Sequence, residues 1–451
     1  MLLCGIIDEL KRSIPRTELL SYFFCQATDS RINSATSVLR GLLYLLIDQQ
    51  PSLVSHIQKK YDHAGKALFE DANAWIALSE IFVNILQDPN LNRVYLIIDA
   101  LDECIADLPK LLGFIVQMQN SSLSCRAKWI VSSRNLLDIE EQLGCSRQKL
   151  RLCLELNAES ISTAVEKFIE HKVPQLAHKK GYDRPTKKAV SDHLFSNANN
   201  TFLWVALVCQ NLEQIPRLDV LAKLNEFPPG LDSLYQRMVQ QISSSNNADL
   251  CKRILASVAV VYRPITLEEL TSLTEMREDI ATNLQSVRDV VSLCGSFLAV
   301  REDTIYFVHQ SAKDFLFTKA DADIFPSGEE EVHYRIVSRS LQVMSKTLQR
   351  DMYSLHALGY PAEQVPQLDP DPLATVRYSC IYWIDHLHDW SLSSSTNPQG
   401  SADLQDRGAI HQFLSEKYLY WLEALSLCKN MSKGVVSMAK LEAFMQVSTN
   451  W

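Results

Sequence analysis

Residues Val94 to Glu103, with the sequence VYLIIDALDE, decide the fold of this chain. An apolar run of this kind is typical of a strand that is buried on both faces of a parallel sheet. The aspartate that follows, Asp99, would place a carboxylate at the carboxyl edge of that sheet, which is where folds of this type bind their ligands. We therefore predict a buried parallel strand that ends in a polar site.

The sequence around this stretch alternates between strand-like and helix-like segments. Compact apolar runs predict strands at Leu19–Gln26 and Trp129–Val131, and Leu150–Leu156 indicates a further one. Helical apolar spacing lies between them, at Leu2–Arg12, Thr36–Gln49 and Ala74–Leu86. Strands that alternate with helices favour a doubly wound α/β domain, which we assign to residues 1–156.

The pattern becomes mostly helical after residue 157. We predict a helical domain over residues 157–246, in which a polar stretch at Val173–Lys188 separates two helices. Three helices and two short strands, Ser296–Val300 and Thr304–Val308, favour a winged-helix domain over residues 247–320. Residues 321–451 form a C-terminal helical region, with a linker near residues 391–407 and a last helical segment over about 409–446.

Composition excludes several classes of protein. The net charge of -9 argues against a nucleic-acid-binding face. The closest glycines, Gly400 and Gly408, are too far apart for either G-x-G-x-x-G or the phosphate-binding G-x-x-x-x-G-K-[ST] motif. No two of the 11 cysteines lie closer than Cys145 and Cys153, which excludes C-x-x-C metal and redox motifs. Because no apolar stretch is long enough for a membrane span, we expect a cytoplasmic protein.

Three acidic residues and one arginine are the best candidates for chemistry. An aspartate at the position of Asp99 holds Mg²⁺ in phosphate-transfer sites, and a following acid, Asp102 or Glu103, positions the attacking water. The alternative is that Asp102 or Asp107 only caps the next helix. Arg134 follows the strand at Trp129–Val131, where it would either contact a γ-phosphate or pair with Asp102 or Glu103.

The histidines carry a weaker signal. His309 follows the second predicted wing strand, and a lone histidine at such a junction is more often structural than a ligand. His386 and His388 are too closely spaced for the i, i+4 pair of a helical zinc site, so we expect them to be at the surface or packed.

These segments together resemble fungal NACHT-domain proteins, which are signal-transduction ATPases akin to vegetative-incompatibility proteins and NOD-like receptors. The matching segments cover nearly the whole chain in the order of the family. They are YLIIDALDEC at Tyr95–Cys104, WIVSSRN at Trp129–Asn135, TFLWVALVC at Thr201–Cys209, PPGLDSLYQRM at Pro228–Met238, FVHQSAKDFL at Phe307–Leu316, YSCIYWIDHL at Tyr378–Leu387 and YLYWLEALSL at Tyr418–Leu427.

The resemblance implies a truncated P-loop NTPase sheet, ATP or ADP with Mg²⁺ as ligands, and a specific role for each candidate residue. Asp99 would be the Mg²⁺ acid, and Asp102 and Glu103 would be the hydrolytic acids. Arg134 would be the sensor of the γ-phosphate. His309 would contact the β-phosphate of ADP from the winged helix.

Two departures from the family lead us to expect a defective nucleotide site. In the family, the phosphate-binding loop and the interior strand before it would precede Met1, so two strands of the sheet should face each other across a gap or close it imperfectly. The second departure is that no sensor repeats follow the last helical segment. Losing about three hydrogen bonds to charged groups removes about 5–9 kcal/mol, whereas a micromolar site is worth only about 8 kcal/mol.

Three hypotheses therefore stay open. The chain is a nucleotide-dependent NACHT signalling switch, or a non-catalytic interaction or scaffold fragment of a NOD-like receptor, or the product of a misassigned start. Whether it is an enzyme is left undecided. Protein partners or self-association are expected in each case.

Overall fold

The computed structural model describes residues 2–65, 69, 73–121, 125–134, 136–144, 158–356, 359–361, 364–393 and 408–448. The chain divides into two compact units, Met1–Arg151 and Leu152–Trp451. The finer division of the second unit into three domains stays a prediction. Within the described residues, no helix is both long and apolar enough to cross a membrane.

The first unit is built around a parallel sheet of three described strands in the order β1-β2-β3. The strands are β1 (Leu19–Phe24), β2 (Val94–Asp99) and β3 (Ala127–Val131). The helices are α1 (Leu2–Ser13), α2 (Ala35–Gln49), α3 (Val54–Ala64), α4 (Ala74–Gln87), α5 (Leu108–Asn120) and α6 (Leu137–Gly144). The predicted parallel α/β organisation is confirmed.

Both faces of this sheet are covered, which explains why the strands are mostly apolar. Leu96 and Ile98 pack with residues of α2, α4 and α5 on one face. On the other face, Leu20 and Ile97 pack against Leu3 and other apolar residues of α1. Because alternate side chains of a strand point to opposite faces, a strand between two helical layers is apolar at most positions and not at alternate ones.

The expected gap in the sheet is absent among the described residues. Strands β2 and β3 pair directly, with Val94 opposite Ala127 and Ile98 opposite Val131. The backbone N–H and C=O groups of the two strands therefore bond to each other, which avoids the cost of unpaired buried groups. The prediction that two flanking strands are separated or closed imperfectly is wrong for this structure.

The second unit begins with helices that form part of a large apolar core. They are α7 (Ala158–Lys180), α8 (Arg184–Asn197), α9 (Phe202–Gln214), α10 (Val220–Leu224) and α11 (Leu231–Ser243). The predicted break over Val173–Lys188 is wrong at its start, since α7 continues through Pro174 to Lys180. Val173, Leu176 and Ala177 are buried, and their burial offsets the roughly 3 kcal/mol that an interior proline costs.

The winged-helix prediction is confirmed by the order of the elements and the sheet that follows. The elements are α12 (Ala248–Val260), β4 (Ile265–Thr266), α13 (Leu267–Leu273), α14 (Glu278–Ala281), α15 (Leu284–Leu293), β5 (Leu298–Arg301) and β6 (Thr304–Phe307). The strands form an antiparallel sheet in the order β4-β6-β5. Glu302 and Asp303, both at positive φ, make the tight turn between β5 and β6.

Six more helices complete the second unit. They are α16 (Gln310–Thr318), α17 (Asp321–Ile324), α18 (Glu329–Thr347), α19 (Arg377–Ser393), α20 (Ala409–Leu427) and α21 (Met431–Ser448). The last predicted helical segment is therefore two helices, because the chain turns at Lys429, which has positive φ. The predicted strand at Leu150–Leu156 and most of the predicted linker, residues 394–407, lie outside the described residues.

Candidate functional site

The carboxyl ends of β1, β2 and β3 carry the candidate site of the first unit. Asp99 is the last residue of β2 and lies opposite Phe24 of β1. The Ser132 hydroxyl, just after β3, donates a hydrogen bond to the Asp99 carboxylate and accepts one from the backbone N–H of Ala100 at 2.9 Å. Asp99 is thus at the sheet edge, as predicted, and is held there by the neighbouring strand.

Asp102 lies in the short 3₁₀ turn Leu101–Glu103 and contacts Arg134. The Asp102 carboxylate accepts hydrogen bonds from Arg134 Nε at 2.7 Å and from the Arg134 backbone N–H at 3.0 Å. The Asp102 side chain is 5% exposed, whereas that of Arg134 is 57% exposed. This is the pairing that the sequence left open as the alternative to a phosphate sensor.

Glu103 faces the loop that follows β1. Its Oε2 atom accepts a hydrogen bond from the backbone N–H of Ala27 at 3.0 Å. The other proposed cap, Asp107, occupies the N-cap position of α5 without a side-chain cap bond and instead pairs with Lys110 at 2.9 Å. All three candidate acids at the edge therefore contact groups of the chain itself.

Two buried cysteines, Cys25 and Cys104, lie directly behind these acids. A hydrogen bond with Cys104, together with burial and the nearby carboxylates, raises the pKa of the Cys25 thiol far above its usual range. A thiol that stays protonated is a poor nucleophile. The same hydrogen bond lowers the pKa of the Cys104 thiol against the opposing effect of burial, so the pKa values of the two thiols shift in opposite directions.

His309 lies in the second unit, at the N-terminus of α16. Its Nδ1 atom accepts a hydrogen bond from the backbone N–H of Ser311 at 3.1 Å. The histidine side chain thus caps the helix, which is a structural role. Its predicted contact with the β-phosphate of ADP stays a prediction.

The described residues do not form a Mg²⁺ site by themselves. Among them, no three His, Cys, Asp or Glu side chains are placed to bind a metal together. Proteins usually bind Mg²⁺ through one or two carboxylates and the phosphates of a substrate. Asp99 and Ser132 would therefore need nucleotide phosphates to complete a Mg²⁺ site, and the roles of Asp99, Asp102, Glu103 and Arg134 in nucleotide chemistry stay predictions.

The sequence analysis did not identify Ser132 or the Ala27 N–H as parts of this edge. Ser132 had a detectable signal, because it is the first polar residue after β3 and the register of β2 and β3 places it beside Asp99. The N–H of Ala27 had none, since a backbone donor carries no side-chain signature. Its contact with Glu103 joins residues 76 positions apart.

A parallel sheet with acids at its edge and a winged helix occur in this chain, which is the combination of domains that its resemblance to NACHT-domain proteins implies. Residues 1–134 match the family described as Nephrocystin 3, N-terminal, and residues 235–325 match the GPI inositol-deacylase, winged helix domain.

A comparison over almost the whole of this chain identifies one similar protein. The chain is 57% identical over 459 aligned residues to the vegetative incompatibility protein HET-E-1 of Podospora anserina, a match that covers 99% of this chain and 34% of that protein. The chain is therefore a relative of the vegetative-incompatibility proteins, and the resemblance seen in its sequence is confirmed. It spans about a third of the length of this relative.

Proposed function

We propose that the chain is a NACHT-like signalling module of the NOD-like-receptor type, and that in this 451-residue form its sheet edge binds neither ATP nor ADP tightly. The relation to HET-E-1 supports the signalling class. The observation that carries the nucleotide part is the sheet edge itself, where Asp99, Asp102 and Glu103 each accept a hydrogen bond from the chain.

Any nucleotide would have to displace these contacts. Arg134 would have to leave the nearly buried Asp102 carboxylate before it could contact a phosphate. Because the Arg134 side chain is 57% exposed, breaking this pair has only a modest cost, of at most about 1 kcal/mol. No glycine-rich phosphate loop occurs in these 451 residues to compensate for that loss with backbone N–H groups.

Calorimetric titration of Mg²⁺-ATP and Mg²⁺-ADP into the purified chain tests this proposal. We expect no binding heat at nucleotide concentrations near 1 mM, which corresponds to less than about 4 kcal/mol of binding free energy. A dissociation constant in the low micromolar range would overturn the nucleotide part of the proposal.

A matched pair of variants tests whether the Arg134–Asp102 contact is responsible. Arg134→Gln removes this contact, whereas Lys110→Gln removes the exposed contact with Asp107 outside the edge. If the edge alone prevents binding, Arg134→Gln should bind Mg²⁺-ADP more tightly than Lys110→Gln. If neither variant binds Mg²⁺-ADP, the lack of a glycine-rich phosphate loop in these residues, and not the Arg134–Asp102 contact, would account for the lack of binding.

As part of this proposal, the module acts in the cytoplasm through protein partners or self-association. All nine cysteines that the structure describes are free, which suits a reducing compartment. Large apolar side chains are exposed on the last two helices, including Leu419 at 74% and Val435 at 67%. Sedimentation equilibrium of the purified chain tests self-association, and a monomer over the whole concentration range would leave only heterologous partners.

A further inference from the structure

A cluster of buried polar rings joins the winged-helix segment to the C-terminal helices within the second unit. His333 of α18 is 5% exposed and His386 of α19 is fully buried. Their Nδ1 atoms are 2.8 Å apart. On its other side, His386 Nε2 is 2.8 Å from the hydroxyl of Tyr378, which accepts a hydrogen bond from the backbone N–H of Tyr262 at 3.1 Å. We call His333 and His386 the imidazole pair.

The surrounding contacts determine where the protons of the imidazole pair lie. The Tyr378 oxygen already accepts from Tyr262, so its own hydrogen can be donated to His386 Nε2. His386 then carries its proton on Nδ1 and donates it to His333 Nδ1. His333 in turn carries its proton on Nε2, which is 3.7 Å from the carboxylate of Glu329. In this arrangement every ring nitrogen has a suitable neighbour.

The reverse direction is less favourable. If His333 donated to His386, then His386 Nε2 would carry a proton and the buried Tyr378 hydroxyl would lose its acceptor. The lone pair on His333 Nε2 would also point toward the negative carboxylate of Glu329. A buried donor without an acceptor costs free energy, so the first arrangement defines the ground state with both rings neutral.

Protonation is incompatible with this arrangement. When both rings are protonated, each Nδ1 carries a hydrogen, and two N–H groups face each other across a distance suited to one shared proton. The two positive charges would also be buried side by side. Burial and the neighbouring His333 already hold the pKa of His386 well below its usual range.

The acidic groups of α19 do not compensate such a charge, because each of them has a partner. Asp389 accepts a hydrogen bond from the Tyr262 hydroxyl at 2.6 Å. Asp385 forms ion pairs with Lys433 and Lys440 of α21 at 2.7 and 2.6 Å. Recruiting either carboxylate to His386 would break an existing contact between helices.

The charged groups on the other elements that pack around the imidazole pair do not compensate a positive charge on it either. Arg263, in the turn before β4, adds a positive charge and stacks on the Tyr378 ring at 5.2 Å. Glu269 of α13 is bonded to Arg263 at 2.6 and 2.8 Å. Glu329 is the acid nearest His333, and its side chain is 51% exposed, so solvent screens its effect.

We propose that the imidazole pair makes the contact between α19 and the winged-helix segment sensitive to protons. With both rings neutral, the chain of hydrogen bonds from Tyr262 to His333 keeps α19 in place. Proton uptake breaks this chain and favours local opening, because the opened histidines can be hydrated and charged. The proposal concerns only the second unit and does not rest on nucleotide binding.

Hydrogen exchange of the full chain, measured by mass spectrometry at about pH 7.5 and about pH 5.5, tests this inference. Exchange rates are divided by the intrinsic rate at each pH, and peptides covering Arg377–Asp389 of α19 are followed. Each proton taken up on opening raises the opening constant about tenfold per pH unit below the usual histidine pKa of about 6.5. We therefore expect about tenfold faster corrected exchange at the lower pH.

Two variants separate this effect from a general response to acid. His386→Gln removes the fully buried ring whose proton uptake accompanies opening and should abolish most of the acceleration. His388→Gln, on the same helix but with a side chain that is 40% exposed, should retain it. Equal exchange of the wild type at both pH values, or full acceleration in His386→Gln, would overturn the proposal.

A measurement on the wild-type chain covers the case in which His386→Gln does not fold. Nitrogen-15 spectra of labelled histidine report the charge of each ring. His386 should stay neutral at every pH at which α19 remains protected. If His386 titrated near pH 6.5 while the exchange of α19 stayed slow, the proposed link between charge and opening would be wrong.

Discussion

The sheet edge of the first unit and the imidazole pair of the second unit show two ways of placing polar groups. At the sheet edge, charged side chains pair where solvent reaches them, and the Arg134 side chain is 57% exposed. In the imidazole pair, neutral rings are bonded in a place without solvent, and His386 is fully buried. Solvent lets the edge change partners at low cost, whereas the buried cluster allows a single charge state.

The largest expected effect comes from breaking the buried ion pair beside the imidazole pair. The side chains of Arg263 and Glu269 are 12% and 2% exposed. Glu269→Ala would leave the Arg263 charge buried without its partner and remove a helix cap on Thr266. We expect the free energy of unfolding to decrease by about 3–5 kcal/mol, as measured by urea denaturation.

The exposed ion pair between Arg277 and Asp279 provides the control for this variant. Their side chains are 78% and 60% exposed, so solvent screens the interaction. Asp279→Ala should therefore not change the urea midpoint measurably. If Glu269→Ala also left the urea midpoint unchanged, burial would not be what distinguishes the Arg263–Glu269 pair from the exposed Arg277–Asp279 pair.

Acid should destabilise the second unit before any carboxylate titrates. The pKa of His386 is lowered by burial and by His333, whereas the unfolded histidine has a value of 6.5. The unfolded state therefore binds more protons than the folded state below about pH 6.5. The contribution of the neutral His386 to the free energy of unfolding is fully present above that pH. The free energy of unfolding should fall by about 1.4 kcal/mol per pH unit for one such histidine until the folded-state pKa is reached.

The partly buried His193 must be separated from this effect. The pKa of His193 is also lowered by burial, against a smaller opposite effect of its hydrogen bond with the Phe227 carbonyl. Urea denaturation of His386→Gln and His193→Gln across this pH range assigns the slope. The lowered carboxyl pKa values of Asp183 and Asp371 affect stability only below about 3.8, their usual value. A slope that is unchanged in His386→Gln would contradict the prediction.

The smallest effect is expected at the sheet edge. Arg134→Gln removes an ion pair in which the arginine side chain is more than half exposed. We expect a loss of at most about 1 kcal/mol in the free energy of unfolding, with Lys110→Gln as the exposed reference. A loss above about 3 kcal/mol, the level of a broken buried pair, would show that the edge depends on Arg134 as strongly as the buried cluster depends on its own pairs.

The accuracy of the sequence predictions followed the range of the interactions involved. Strands β1 to β3 and the wing strands were placed within about two residues, because an apolar run fixes a buried strand locally. The break predicted after Val173 failed, since burial of Leu176 and Ala177 in the core outweighs the local effect of Pro174. The sequence analysis predicted one helical segment where the structure has α20 and α21, because the turn at Lys429 has no strong sequence signal.

The sequence by itself determined the acidic sheet edge, because Asp99, Asp102 and Glu103 belong to one strand and the turn that follows it. Their placement needs only local structure and the rule that parallel strands end at a common edge. The tertiary structure alone decided the direct pairing of β2 with β3 and the partners of these acids. It also decided the imidazole pair, whose members are 53 residues apart. Two histidines become a charge-sensitive contact only when packing removes the water between them, and water is excluded by the whole fold and not by any segment of sequence.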